Sequence, residues 1–139
     1  MILLNQDETV ARFVASRIPG FRLSTGKDYR AIGFLRGGKL VAGCILHDHR
    51  GFDVSASVAA EGKDWPVIEM LRFIARLVFQ DWGCKRMTLL VSQKNKRARD
   101  FAQKVGFKEE GCLELGFDGK QNGIVYGMTR RNCRWLKEG

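Results

Sequence analysis

Residues 86–111 read RMTLLVSQKNKRARDFAQKVGFKEEG, and this stretch decides the fold. Its first part, residues 86–92, is a short apolar run that predicts a central strand covered on both faces. Asn95 is a good N-cap for the helix predicted next, and Gly106 suits the C-terminal cap of that helix. A further strand is predicted over residues 107–115. The stretch therefore predicts a strand, a helix and a second strand in direct succession.

Working outward, the upstream pattern predicts a helix, a hairpin, a third strand and a second helix. In chain order these are a helix at 8–18, strands at 31–35, 40–46 and 52–60, and a helix at 66–82 that Gly83 ends. Gly37-Gly38 is a strong turn signal between the first two strands. A last strand is predicted at 124–128, after a turn-rich segment. This order predicts a mixed α/β (α+β) sheet with helices on its faces, in one domain over residues 1–139.

The net charge favours an anionic partner. Lys and Arg number 24 against 15 Asp and Glu, which leaves a formal charge of +9 in 139 residues. Nucleic acid and a polyphosphorylated cofactor both fit this charge, and Arg130, Arg131 and Arg134 form a basic end of the kind that contacts phosphates. Charge alone favours nucleic acid, and the pattern along the chain changes that balance.

Membrane, secreted and metal-binding classes are not favoured by the sequence. No apolar stretch approaches the roughly 18 residues needed to span a bilayer, and the first five residues lack the basic start of a secretory signal. We expect a cytoplasmic protein. Cys44, Cys84, Cys112 and Cys133 are too widely spaced for a zinc motif, so we expect reduced and mostly buried thiols and no metal.

The 86–111 stretch resembles the GNAT superfamily of N-acetyltransferases. The family pattern is a strand, an Asn that opens a helix, an Ala three residues later, then Gly-Phe and Glu-Gly. The matching positions are Asn95, Ala98, Gly106, Phe107, Glu110 and Gly111. The resemblance extends from Trp65 to the end of the chain and is closest to small bacterial or phage-borne members. It implies a centrally splayed sheet and transfer of an acetyl group from acetyl-CoA to an amine.

The resemblance also implies where acetyl-CoA binds. In the family two neighbouring parallel strands splay apart, and the pantetheine arm lies in the gap like an added strand. Here those strands are 52–60 and 86–92. The implied contacts are the backbone of Val58, Ala59 and Ala60, the side chain of Asn95 and the ring of Phe101. Asn95 also fits a plain helix cap, and Phe101 also fits ordinary core.

The pyrophosphate of the cofactor is expected at the N-terminus of the helix that starts near Trp65. The family loop Q/R-x-x-G-x-G/A corresponds to residues 63–68, which contain neither glycine and include a proline. Lys63 stands at the basic position, Gly62 keeps some backbone freedom, and Arg97 is a second candidate phosphate contact. An exposed lysine in a turn is also commonly just solvated.

The catalytic groups are less well defined by the sequence. Many relatives carry a tyrosine seven residues after the Asn, where this chain has Ala102, so Tyr126 is the candidate acid. Asp53 lies near the position of an acidic residue on the splayed strand and is a candidate base. His47, with His49 two residues later, is a candidate base or water relay. Direct attack by an already neutral amine needs none of them.

Three function classes remain open. The first is an acetyl-CoA-dependent N-acetyltransferase whose acceptor is a small amine, an antibiotic, a protein N-terminus or lysine, or an aminoacyl-tRNA. The second is a catalytically silent GNAT-fold module that binds CoA or a partner, as the absent glycines and tyrosine suggest. The third is a basic nucleic-acid-binding domain, which ranks last because no recognition motif is present. Oligomeric state, including a homodimer, stays open.

Overall fold

The structure is a computed structural model, and it describes residues 1–21, 28–63 and 65–136. The strands are β1 (Ile2–Leu3), β2 (Tyr29–Arg36), β3 (Lys39–His47), β4 (Asp53–Ala60), β5 (Arg86–Ser92), β6 (Lys108–Leu113) and β7 (Gly123–Thr129). The helices are α1 (Asp7–Ala15), α2 (Val67–Ala75) and α3 (Lys96–Lys104). The predicted mixed α/β fold class is confirmed.

The described strands form one sheet of seven strands in the order β1-β2-β3-β4-β5-β7-β6. Neighbouring strands are antiparallel, except that β4 and β5 are parallel. Strand β5 lies between β4 and β7, which confirms its predicted central place. Gly37 and Gly38, with φ of 59° and 76°, form the predicted turn between β2 and β3.

Helix α1 lies close against one face of the sheet because glycines leave room for it. A Cβ atom placed on Gly43 would lie 2.8 Å from a methyl of Val14 and 2.9 Å from a methyl of Val10. Gly33 on β2 is similarly close to Val10. These distances are well inside normal van der Waals contact, so the approach of α1 requires glycine at these positions.

The opposite face carries the larger core. Fully buried side chains of α2, of the segment after it and of the sheet meet there, among them Met70, Val78, Phe79 and Tyr126. Alternate residues of each strand face the two layers, as the two-residue period of a strand requires. The face that carries α1 is covered over β2 to β4, and the site described below lies beside α1 on that face.

Several boundaries differ from the prediction. Helix α1 ends at Ala15, before Pro19, because the Ser16 hydroxyl and the Arg17 guanidinium bond the Phe13 carbonyl. The single helix predicted over 66–82 is α2 followed by a π-helical segment, Arg76–Asp81. Strand β1 was not predicted, and neither were two short 3₁₀ turns near the end, Arg130–Asn132 and Arg134–Leu136.

The cysteines agree with the expectation of reduced, mostly buried thiols. Cys44, Cys84 and Cys133 are buried, Cys112 is exposed, and all four are free. Burial raises the pKa of the Cys44 thiol to about 12. Among the described helices, none combines the length and the apolar character needed to cross a membrane.

Candidate active site

The parallel strands β4 and β5 are paired along only part of their length. Pairing runs from Asp53 opposite Arg86 to Ala56 opposite Leu89. Beyond that point β4 continues to Ala60 and β5 to Ser92, and the described residues show no pairing between the two segments. This is the predicted splay, and we call the unpaired gap between residues 57–60 and 90–92 the groove.

Each strand is held on its outer side where the groove opens. Strand β4 remains paired with β3 up to Ala60, which lies opposite Ala42. Strand β5 remains paired with β7 up to Ser92, opposite Gly123. The separation is therefore fixed by the neighbouring strands and is not fraying of strand ends. Backbone groups on the inner edge of β4 face the groove, where an extended ligand can bond them as an added strand would.

Val58, Ala59 and Ala60 occupy this open segment of β4. All three are half-buried, although they lie in the middle of the sheet, where strand residues are normally enclosed. Their side chains are small or of moderate size, so the groove floor is mostly backbone. The implied role of these residues in binding the pantetheine arm stays a prediction.

Asn95 caps the helix that follows β5. Its Oδ1 accepts a hydrogen bond from the Ala98 amide at 3.1 Å, which confirms the predicted N-cap. The residue is half-buried at the end of the groove. Because the cap uses the oxygen, the amide nitrogen is the part of the side chain available to a cofactor carbonyl.

Two contacts join the loop after β4 to α3, across the mouth of the groove. The Arg97 guanidinium donates a hydrogen bond to the Gly62 carbonyl at 2.8 Å. The rings of Trp65 and Phe101 lie 5.8 Å apart between centroids, in a tilted arrangement. Both residues predicted to contact cofactor from α3, Arg97 and Phe101, therefore contact this loop. Lys63 is exposed beside it.

Helix α2 begins directly after this loop. Pro66 occupies its N-cap position, and the structure gives α2 no side-chain cap among the described residues. The first amides of a helix have no partner within the helix, so they point at whatever lies before its N-terminus. This end of α2 carries positive electrostatic potential from the aligned peptide dipoles.

Asp53 lies at the closed end of the paired strands and is buried. Its Oδ2 accepts from the Arg50 guanidinium at 2.9 Å, and its Oδ1 accepts from the Thr88 hydroxyl at 2.9 Å. Arg86 lies 3.5 Å from Oδ1. Both carboxylate oxygens are engaged, so an acceptor amine would have to displace a donor before Asp53 could take its proton. Its role as a base stays a prediction.

His47 ends β3 next to the point where the groove opens. Its Nδ1 lies 2.8 Å from the Asp48 carboxylate, and its Nε2 lies 3.1 Å from the hydroxyl of Ser57. Ser57 is the first residue of β4 beyond the paired segment. His49 lies elsewhere, stacked on the Trp82 ring at 4.8 Å between centroids. The two histidines therefore do not act on one point.

Tyr126 is fully buried on β7. Its hydroxyl accepts a hydrogen bond from Arg99 of α3 at 3.2 Å. This bond, together with nearby Glu109, raises the pKa of the Arg99 guanidinium. Tyr126 is paired with Leu89, the last residue of β5 bonded to β4, so its backbone lies at the groove apex. Its role as an acid stays a prediction.

A pocket of about 430 Å³ opens beside the paired segment of β4 and β5. Residues of both charges line it: Asp48, Arg50, Asp53, Ser55, Arg86, Thr88 and Val125. Sequence reasoning found Asp53 in this set and missed the rest. A signal was present, because polar residues recur at every second position in Asp53, Ser55 and Ser57, which puts them on one face of the strand.

Glu110, one of the positions that carried the resemblance, contacts Arg86, which lines the same pocket. A register shift in β6 between Glu109 and Gly111 places the Glu110 carboxylate over Gly127, where a Cβ would lie 2.5 Å from it. From there Glu110 accepts from Arg86 at 2.7 Å. This bond is the main reason that the pKa of the Arg86 guanidinium is raised. Glu110 therefore orders the wall of the pocket.

The three arginines of the basic end are exposed, and Arg134 also contacts the fold. Arg134 donates to the Lys104 carbonyl at 2.6 Å and lies over the Trp135 ring. Arg130 and Arg131 line a second pocket of about 570 Å³ with Lys85. Among the described residues, no group of three or more His, Cys, Asp or Glu side chains is placed to hold a metal ion.

Neither the comparison with family models nor that with curated proteins gave a match. Solved structures gave clear ones. A mutant of the spermidine N-acetyltransferase SpeG from Vibrio cholerae matches with a TM-score of 0.75 at 13% identity, covering 99% of this chain and 98% of that one. A probable acetyltransferase matches with a TM-score of 0.66 at 20% identity over 77% of this chain. A GNAT-family acetyltransferase from Bacillus anthracis gives 0.61 at 14% over 73%.

The matches to the last two proteins span 64% and 66% of their lengths, just under two thirds. At these identities the similarity establishes the fold. This chain has the GNAT fold, so the predicted resemblance is confirmed at the level of architecture, including the central splay.

Proposed function

We propose that this protein is an N-acetyltransferase that transfers the acetyl group of acetyl-CoA to a primary amine, by direct attack in a ternary complex. The observation that carries the proposal is the groove between β4 and β5. A gap that is fixed by outer strand neighbours and lined by main-chain groups suits a narrow, extended, amide-containing arm. Pantetheine is such an arm, and its amides can bond the inner edge of residues 57–60.

The parts around the groove suit the rest of the cofactor. In this proposal the amide of Asn95 bonds a pantetheine carbonyl, and Phe101 packs against the arm. The pyrophosphate lies at the N-terminus of α2, with Lys63 and Arg97 supplying positive charge. Arg97 would exchange its bond to the Gly62 carbonyl for a phosphate oxygen. The charge of these side chains takes the place of the amide bonds that a glycine loop supplies.

The chemistry then requires the acceptor amine to reach the thioester near the groove apex. The carbonyl oxygen develops negative charge as the amine attacks, and a main-chain amide near Val58 would stabilise it. The pocket lined by Asp48, Asp53 and Arg86 lies beside this apex and gives the acceptor room. His47 or Asp53 is the proposed proton acceptor, and the proposed proton donor to the leaving thiolate is either Tyr126 or the group that took the amine proton. The acceptor class is a small-molecule amine or a protein N-terminus or lysine.

Acetyl-CoA titration followed by thermal unfolding tests the binding half of this proposal. A ligand that binds only the folded protein raises the melting temperature as its concentration increases. At a ligand concentration a hundredfold above Kd, the folded state is stabilised by about 2.7 kcal/mol. Release of free thiol with a panel of primary amines then tests the transfer half. An unchanged melting temperature at millimolar acetyl-CoA would contradict the proposal.

A CoA-binding module without activity is the second candidate. Two observations favour it: residues 63–68 lack the family glycines, and Ala102 stands where many relatives have the tyrosine that acts as the general acid. In the structure Ala102 is fully buried, so it presents no group to the groove. A melting temperature that rises with acetyl-CoA, without thiol release for any amine of the panel, would select this candidate over the enzyme.

A further inference from the structure

Ser57, His47 and Asp48 form a hydrogen-bonded chain at the apex of the groove. The Ser57 hydroxyl lies 3.1 Å from Nε2 of His47, and Nδ1 of the same ring lies 2.8 Å from the Asp48 carboxylate. Ser57 is the first β4 residue without a partner on β5. One end of the chain is therefore at the position where the two strands part, and the other end lines the neighbouring pocket.

The fold holds His47 in place from several sides. It is the last residue of β3, paired with Tyr29 of β2 on one side and Ser55 of β4 on the other. The Phe21 ring meets the imidazole edge-on, 6.3 Å between centroids. Only 13% of the His47 side chain is exposed. The imidazole is thus a nearly enclosed group with both nitrogens engaged.

Asp48 adopts an unusual backbone conformation next to His47. Its φ is 52°, in the left-handed region that few residues other than glycine, Asn and Asp adopt. Outliers of this kind concentrate at functional sites, where the surrounding structure maintains them. Here the conformation accompanies the contact between the carboxylate and Nδ1 of the preceding residue.

The carboxylate determines the tautomer of the ring. A carboxylate accepts hydrogen bonds, so the neutral imidazole carries its proton on Nδ1 and leaves Nε2 as an acceptor. Nε2 then accepts a hydrogen bond from the Ser57 hydroxyl. The chain is therefore oriented to move a proton from Ser57 to His47, with Asp48 stabilising the imidazolium that results.

We propose that Ser57, His47 and Asp48 form the proton relay that deprotonates the acceptor amine; this rests on the proposed function. The amine nitrogen attacks the thioester carbon and forms the C–N bond. Its excess proton passes to Ser57 Oγ while the Ser57 proton passes to His47 Nε2. The C–S bond then breaks, its electron pair stays on the CoA sulfur, and the imidazolium returns its proton through Ser57 to the thiolate. The products are the amide and free CoA.

The relay and Asp53 differ in the hydrogen bonds that their groups already make. Asp53 is held by donors from Arg50, Thr88 and Arg86, whereas the relay has an acceptor nitrogen behind a hydroxyl at the apex. In this arrangement Ser57 is the group that touches substrate. His47 and Asp48 act through it and are positioning residues.

The test is the pH dependence of thiol release for Ser57→Ala, His47→Gln and Asp48→Asn. Removing a general base typically lowers the rate by about 10²- to 10⁴-fold. We expect Ser57→Ala and His47→Gln each to lower kcat by about 10²-fold with unchanged acetyl-CoA affinity, and Asp48→Asn to lower it less. The acid limb of the wild-type kcat/KM profile should disappear in His47→Gln. His49 is not part of the hydrogen-bonded relay, so His49→Gln should keep the wild-type kcat and the wild-type pH profile.

Other ionisable groups near His47 are Asp48, Tyr29, and the pocket residues Arg50, Asp53 and Arg86, so the profile must be compared among variants. Because the relay is one unit, the double variant Ser57→Ala/His47→Gln should be no slower than either single variant. If His47→Gln fails to fold, Ser57→Ala, which removes one hydroxyl, carries the test with Asp48→Asn.

The possible outcomes distinguish failure of the proposed relay from failure of the proposed acetyltransferase activity. No thiol release by the wild type overturns both. If Ser57→Ala releases thiol as fast as the wild type, the relay alone is overturned. The same follows if the rate losses of the two single variants multiply in the double variant. An acetylated Ser57 in mass spectra of the working enzyme also overturns it, because Ser57 would then be a nucleophile.

Discussion

Strands β4 and β5 are hydrogen-bonded from Asp53 to Ala56 and separate from Ser57 onward, so one pair of strands has a closed half and an open half. The closed half carries a buried carboxylate with donors from Arg50, Thr88 and Arg86. The open half carries small side chains and main-chain groups that face a gap. Side chains define the first region, and backbone defines the second.

The difference teaches that stability and cofactor binding are assigned to separate parts of the same two strands. Asp53 and Arg86, opposite each other at the start of the closed half, join β4 to β5. In the open half, β3 and β7 hold the strands from outside, so the inner edges need not bond each other. Substitutions in the closed half should act on folding, and substitutions around the open half on cofactor binding.

The largest expected effect belongs to the closed half. Asp53→Asn keeps the shape of the side chain and removes the charge that Arg50 and Arg86 share. Breaking a buried ion pair costs about 3 to 5 kcal/mol, and partial exposure of the arginines reduces this to about 2 to 3 kcal/mol. Urea unfolding measures it. Arg50, 62% exposed, provides the matched control: Arg50→Ala should cost under about 1 kcal/mol. Equal losses in the two variants would contradict the assignment.

Asn95 separates the two roles at the open half. Asn95→Ala removes the helix cap and should lower the free energy of unfolding by about 1 kcal/mol, with weaker acetyl-CoA binding. Asn95→Ser keeps a capping oxygen and removes the amide nitrogen, so it should keep the stability and still bind acetyl-CoA less tightly. Calorimetric titration and urea unfolding give the two values. Full affinity in Asn95→Ser would show that Asn95 is only a cap.

Arg97 tests the mouth of the groove. Arg97→Ala should weaken acetyl-CoA binding by about two- to fivefold, the range of an exposed ion pair, and the loss should shrink as salt is added. Lys96→Ala is the control on the same helical turn, because Lys96 pairs with Asp100 along the helix. Tighter binding in Arg97→Ala would mean that its bond to the Gly62 carbonyl closes the groove instead of serving the cofactor.

The smallest expected effect lies just past the open half. The pairing of Glu61 with Arg17 lowers the pKa of the Glu61 carboxyl. A lowered pKa in the folded state means that the pair stabilises the protein at neutral pH and that this contribution is lost as the pH falls through the folded-state value. Glu61→Gln should therefore have slightly lower stability at neutral pH and a shallower acid loss. Thermal unfolding between pH 3 and 7 would detect the difference, and a parallel pH profile would contradict it.

Much of the fold could be predicted from local signals. Asn95 and Gly106 mark both ends of α3, Gly37-Gly38 marks the hairpin, and the apolar run at 86–92 gives β5 with its observed bounds. Strand β1 could not be found, since two residues give no period and depend on pairing with Phe34 and Gly33. The π-helical segment after α2 has the same apolar pattern as a continued α-helix.

The site was less predictable because it depends on register. The contact of His47 with Ser57 exists only because β3 and β4 pair with His47 opposite Ser55. The engagement of Asp53 likewise depends on Arg86 being opposite it on a strand far along the chain. Side-chain chemistry suggested His47 and Asp53 as candidates, but only the pairing shows which partners each one has.

Amide hydrogen exchange with and without acetyl-CoA tests the central claim most directly. The account predicts added protection at residues 57–60 and 90–92, where main-chain groups would gain ligand bonds, and little change at Asp53–Ala56, which is already paired. Protection that fails to appear in the open half while acetyl-CoA is bound, or that appears mainly in the closed half, would contradict it.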